Sequence, residues 1–211
     1  MADRSEELPV QRRTLILHIA VTVPVALAIW FALRLLLPPV PGMEEPPARL
    51  MFGLGCVAVA VLLALVPGVE AVAHERLASP AIDPLAGYET RRLRVNQRYL
   101  QNTLEQTIVF AAGLMLLCWF MEGGGSMRAA VAITAVWVLG RWAFWIGYHR
   151  SPLLRAWGAM GMLQSMIVLL YAVYRFGALF LGPVGGAAPL ILFGGIEAWL
   201  FAVTRKPPRG A

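Results

Sequence analysis

Residues 94–121 read RVNQRYLQNTLEQTIVFAAGLMLLCWFM, and this stretch decides the fold. From Ile108 to Met121 it is apolar enough for hydrocarbon. The half before that carries Arg98, Asn102 and Glu105. Their spacing is i, i+4, i+7, so on a helix all three share one face. A charged side chain at the centre of a bilayer costs about 2.5–3.5 kcal/mol or more. Such residues therefore face a partner or a wet cavity, and this face is the first candidate for function.

The rest of the chain agrees with a membrane reading. It has 211 residues, 59% of them hydrophobic and only 14% charged, against about 25% charged in an ordinary soluble domain. This composition excludes a soluble globular enzyme. The net charge is +6, from 18 Lys+Arg against 12 Asp+Glu. No basic stripe interleaved with aromatics is present, so the excess speaks for membrane topology and not for nucleic acid. Cys56 and Cys118 lie inside apolar runs without a C-x-x-C motif and read as small hydrophobes. No metal-ligand cluster, phosphate-binding loop or nucleophile elbow is evident, and no metal is expected.

Six apolar segments follow one another: Thr14–Leu37, Leu50–Ala73, Arg94–Met121, Met127–Tyr148, Pro152–Leu181 and Pro189–Thr204. The first five are long enough to cross about 30 Å of hydrocarbon as helices. The last is short and holds Gly194, Gly195 and Glu197. Pro and Gly clusters punctuate the connections, and Ser151-Pro152 reads as an N-cap followed by Pro at the first helical position. With both termini cytoplasmic, the inner side receives Arg4, Arg12, Arg13, Arg76, Arg91, Arg92, Arg94, Arg150, Arg155, Arg205, Lys206 and Arg209. The outer loops receive Glu44, Glu45 and Glu122, with Arg49 and Arg128 at their edges. That asymmetry follows the positive-inside rule and favours an even number of spans. Arg34 and Arg175, near outer helix ends, read as snorkelling side chains.

The chemistry-bearing residues gather on the inner half. Arg94, Arg98, Gln101/Asn102 and Glu105 step by three or four along one helix. In the next segment Arg141, Phe144/Trp145 and Tyr148 share a face. Arg141 lies too deep for snorkelling and calls for a polar partner. Glu105 is the carboxylate placed to supply one, and it has two readings: it neutralises Arg141, or it holds the ammonium of a ligand. Arg155 falls in the first turn after Ser151-Pro152, where the helix dipole favours anions. A cation there makes sense if an anion docks beside it. The histidines His18, His74 and His149 read as interfacial side chains.

The run Arg98-x3-Asn102-x2-Glu105, then Arg141-x6-Tyr148 and Arg155, resembles the MAPEG family, the membrane-associated proteins in eicosanoid and glutathione metabolism. The likeness spans roughly residues 50–176. It implies an all-α polytopic membrane bundle with a four-helix core, assembled as a homotrimer with glutathione bound between subunits on the cytoplasmic side. By motif position it implies that Arg98, Asn102, Glu105 and Tyr148 line the glutathione site and that Arg155 stabilises the thiolate. Arg141, Gln101 and Arg94 would be structural or lie beside the ligand. Gln106 and Phe144 stand where relatives carry tyrosine or histidine, and Val109 where proline is frequent.

The expectations are therefore these. The chain is a single membrane domain: residues 1–48 an added anchor helix and loop, 49–181 the core, 182–211 a short apolar segment and basic tail. It sits in a membrane, the bacterial inner membrane by this reading, in contact with the lipid bilayer and lipophilic small molecules. Its function is glutathione-dependent transfer or peroxide reduction on lipophilic substrates. The alternative is a non-catalytic scaffold, or a lipid- or small-molecule-binding protein, of the same fold.

Overall fold

The structure is a computed structural model and describes residues 4–204. Arg205, Lys206 and Arg209, counted above as inner charge, lie outside the described residues. Among the described residues every regular element is helical: α1 (Arg4–Leu36), α2 (Pro46–Ala60), a π turn (Val61–Leu65), α3 (Val66–Leu77), α4 (Arg91–Phe120), α5 (Gly123–Arg150) and α6 (Ala159–Thr204). Short 3-10 turns cover Pro80–Ile82 and Leu154–Gly158. Five stretches are long and apolar enough to cross a membrane: Pro9–Leu36, Pro46–Leu77, Arg91–Phe120, Gly123–Arg150 and Leu154–Thr204. The chain is an all-α membrane helix bundle, and α4 and α5 form its heart. Their buried stripe, with Phe110 stacked on Trp137 at 4.7 Å and Met127, Leu114 and Cys118 around them, packs on Ala60 and Ala64.

The helix Pro46–Leu77 is not uniform, and Pro67 explains why. Proline has no N–H, and its ring collides with the carbonyl four residues back, which is Leu63. The chain loosens into the π turn at that point, with the Val66 N–H reaching Val61 O. Two carbonyls there are taken by neighbours: Trp142 Nε1 donates to Leu63 O at 2.9 Å, and Tyr99 Oη donates to Ala64 O at 2.7 Å. Tyr99 lies so close over Gly68 that a Cβ there would meet its ring at 2.8 Å. The defect in one helix is thus the attachment point of two others.

Thr90 caps α4, its Oγ accepting from Leu93 N at 3.0 Å. The preceding loop is closed by buried Glu75, which accepts from Arg92 and, at 3.3 Å, from Thr90 Oγ. At the opposite end of the bundle, arginines hold loop carbonyls. Arg128 donates to Gly125 O and Leu37 O, both at 3.1 Å; Arg34 donates to Gly125 O; Arg49 donates to Met43 O at 3.2 Å and Glu44 O at 2.6 Å. Gly124 lets the two loops touch, because a Cβ there would lie 1.8 Å from Val40 O.

Two expectations change here. The short segment Pro189–Thr204 is only the later part of its helical arm. It is the end of a helix that resumes immediately after a sharp break at Leu181 (φ −133°) and Gly182 (φ 58°). Just after that break Gly185 is pressed on Gly177 and Gly186 on Tyr174. The helix after Ser151-Pro152 also starts later than expected. Ser151 Oγ accepts from Leu153 N at 3.4 Å, and residues 154–158 wind as a tight 3-10 turn before α6 begins at Ala159. The crossing over α5 demands this: a Cβ on Gly147 would lie 2.4 Å from Leu154 O, and one on Gly158 2.4 Å from Phe144 Cβ. Arg155 consequently sits in the 3-10 turn, not in the first turn of an α-helix, and the dipole of α6 is not what it meets.

Candidate functional site

The polar half of α4 divides into two faces. On the inward face Asn96, 4% exposed, accepts from Trp145 Nε1 and contacts His149 Nε2, each at 2.9 Å. Tyr99 stacks on Trp145 at 4.5 Å. One turn further, Asn102 Oδ1 accepts from Arg141 at 2.8 Å and from Gln106 Nε2 at 3.1 Å. The outward face carries Arg98, Gln101 and Glu105, all exposed. Arg98 donates to Gln101 Oε1 at 3.1 Å, and Gln101 Nε2 donates to Glu105 at 3.2 Å. The three expected site residues of α4 thus part company: Asn102 turns into the bundle, Arg98 and Glu105 turn out of it.

Arg141 is the centre of the inward group. It is 1% exposed. Its two terminal nitrogens donate to Asn102 Oδ1 and, at 2.9 Å, to Gly158 O, while its Nε is buried without a partner. Its guanidinium lies over the Phe144 ring at 5.2 Å. No carboxylate meets it: the ion pairs among the described residues are Arg92–Glu75 and His74–Glu70. The partner of Arg141 is Asn102, not Glu105. Three residues separate the two on one helix, and the rotation of α4 against α5 selects the former. Beside it, Gln106 Oε1 is also buried and unpartnered. A full guanidinium charge is therefore buried against neutral acceptors only, which is costly unless an anion completes it.

A ladder of rings and cations runs from there along α5. Phe144 meets Tyr148 edge-on at 5.7 Å, and the Arg155 guanidinium covers the Tyr148 ring at 5.9 Å. Arg155 is exposed and, among the described residues, has no hydrogen-bonding partner. Arg91 closes the end of α5 by donating to His149 O at 3.0 Å and Tyr148 O at 3.3 Å. Arg94 is exposed. The fold thus joins Asn102 with Arg141 and Tyr148 with Arg155, and leaves Arg94, Arg98, Gln101 and Glu105 on an outer strip of α4. His18 docks elsewhere, its Nδ1 3.4 Å from Leu153 O, and His74 pairs with Glu70.

The sequence reading missed Asn96 and Glu75, and took Gln106 only as a departure from the family pattern. Asn96 sits three residues before Tyr99 and seven before Thr103, both buried, so its place on the buried side was open to a period count. Glu75 offered a weaker signal, a lone acid in an otherwise basic stretch.

The geometry sits inside a stretch that a family comparison singles out. The model described as MAPEG family matches residues 50–175, from the start of α2 into α6. The search of curated proteins and that of solved structures return no match. With more than half of its 211 residues matched, the chain belongs to the MAPEG family.

Proposed function

We propose that the protein is an integral-membrane glutathione-dependent transferase or peroxidase acting on lipophilic electrophiles or hydroperoxides. Members of the family generally use glutathione and assemble as trimers. The observation that carries the reading is Arg141: a buried cation with neutral partners, an orphaned Nε and an orphaned Gln106 oxygen beside it. Glutathione is an anionic tripeptide, and its carboxylates would complete such a site. Asn102 and Tyr148 flank it, and the exposed strip of Arg98, Gln101 and Glu105 would meet the ligand or a neighbouring subunit of a homotrimer. We assign Arg155 as the thiolate's partner, since a cation lowers a thiol pKa and a guanidinium without a hydrogen-bonding partner is free to do so.

The chemistry is then simple in balance. The thiolate attacks an electrophilic carbon, a carbon–sulfur bond forms, and the leaving group departs as an anion. The thiol proton goes to water. A substrate of this kind reaches the site from the bilayer. The basic ends of the segments support the cytoplasmic face for this half of the bundle and, with the arm after Gly182 taken as a sixth crossing, both termini inside; a bacterial inner membrane suits that orientation. The domain reading goes with it: α1 and the arm after Gly182 are additions to a four-helix core.

Two measurements test the reading. Glutathione titrated calorimetrically into the detergent-solubilised protein should bind. Arg155→Ala should lower conjugation to an activated chloronitrobenzene by about 100-fold while the assembly stays intact. Absence of binding together with an unaffected variant would overturn it. One observation favours the non-catalytic alternative: Phe144, between Arg141 and Tyr148, neither donates nor accepts a hydrogen bond. A scaffold of this fold would retain Arg141 for Asn102 and Gly158 alone.

A further inference from the structure

A cavity of about 580 Å³ lies between α1, α5, α6 and the end of α4, a size within the range of small-molecule sites. Ala26 and Trp30 of α1 form one wall, Ile133 of α5 another, and Leu163, Gln164 and Tyr171 of α6 a third. No charged residue lines it. The named walls all belong to stretches apolar enough to span a membrane, so a hydrocarbon chain suits it better than water. Water would find a single amide in its interior, and that amide is engaged: Gln164 Nε2 donates to Ile133 O at 2.8 Å.

One end of the cavity has a different character. Tyr171 lines it, and the Tyr171 hydroxyl accepts from Arg175 at 2.9 Å. The Arg175 guanidinium covers the rings of Phe120 at 5.4 Å and Tyr171 at 5.9 Å. Among the described residues it has no carboxylate partner. Arg175 lies at the end of the bundle opposite Arg155, where the chain turns at Leu181 and Gly182. An apolar slot capped by an unneutralised cation matches an amphiphile with an acyl chain and an anionic head. The surrounding bilayer supplies that chemistry as phospholipid.

We infer that this cavity is a binding site for one acyl chain of an anionic phospholipid, with the phosphate at Arg175. It lies apart from Arg141 and Arg155, and α1, which forms one wall, precedes the residues matched by the family model. The site therefore stands independently of the glutathione reading. α1 is not merely an anchor on this account. It closes a lipid seat against the core.

The full-length protein, purified in detergent, is mixed with equal amounts of phosphatidylglycerol and phosphatidylcholine and examined by native mass spectrometry. The expected result is one retained lipid per chain, with phosphatidylglycerol favoured about fivefold, the gain one arginine gives near an anionic head. Arg175→Gln should abolish the preference and leave some binding of both lipids. Ala26→Trp should fill the cavity and reduce retention about tenfold, whereas Ala28→Trp, outside the lining, should not. If Ala26→Trp fails to fold, Ala129→Leu fills the cavity from α5 and should act alike. Equal retention of the two lipids overturns the proposal, as does equal loss from Ala26→Trp and Ala28→Trp. Displacement of phosphatidylglycerol by equimolar palmitate also overturns it, because the occupant would then be a free fatty acid.

Discussion

Arginines crowd both ends of this bundle, yet the two ends use them differently. At the end formed by the α1–α2 and α4–α5 loops, Arg34, Arg49 and Arg128 are spent on backbone carbonyls. Each ties a loop or helix-end carbonyl to a neighbouring segment. At the other end Arg141 is buried with a nitrogen unpartnered, and Arg155 and Arg98 reach outward. One residue type thus fastens loop carbonyls at the first end, and at the second lies against an amide side chain and aromatic rings or reaches outward. The distinction is what each guanidinium faces, since Arg49 and Arg141 each keep a buried Nε without a partner.

Glycine substitutions give the largest expected effects and test both ends alike. Gly158→Ala and Gly124→Ala each force a methyl against a closely packed neighbour, the Phe144 Cβ and the Val40 carbonyl respectively. Each should cost about 2–3 kcal/mol, read as a lowered thermal midpoint in detergent. Only Gly158→Ala should also impair glutathione binding, because it pushes on Arg141. Equal loss of binding from both would erase the contrast between the ends.

Next come the arginines themselves. Arg128→Met removes two bonds to carbonyls and should cost about 1–2 kcal/mol of stability, with ligand affinity unchanged. Arg98→Ala should do the reverse: a stability change within about 0.5 kcal/mol and a roughly tenfold weaker glutathione titration. Exchange of these two outcomes would invert the assignment. Tyr99→Phe is the mildest of the set. It strands Ala64 O and should lower stability by about 1 kcal/mol, without touching affinity.

Much of this architecture was open to a reader of the sequence. Apolar length locates the spans to within a few residues, since hydrocarbon thickness sets the count. Helical spacing gathers Asn102, Arg141, Tyr148 and Arg155 at one end. What spacing does not decide is the rotation of one helix against its neighbour. Asn102 and Glu105 lie about 60° apart on α4 at 3.6 residues per turn, and the choice between them as partner of Arg141 is a tertiary matter. Asn96 became a hub for the same reason, through Trp145 and His149 on a different helix. The late start of α6 was hidden because the close crossing at Gly147 and Gly158 involves residues the spacing rules treat as neutral. The break at Gly182 was hidden as well, and its positive φ is what lets the chain turn there.

The π turn at Val61–Leu65 has a consequence for phase. One extra residue in a helical turn advances everything after it by about 100° around the axis. The face that α3 offers to α4 is therefore set by the turn, and Glu75 faces Arg92 and Thr90 only in that phase. A ring without an N–H at Pro67 thus times a carboxylate two turns downstream. The loop that leads into the polar half of α4 is closed by a misfit, not by its own sequence.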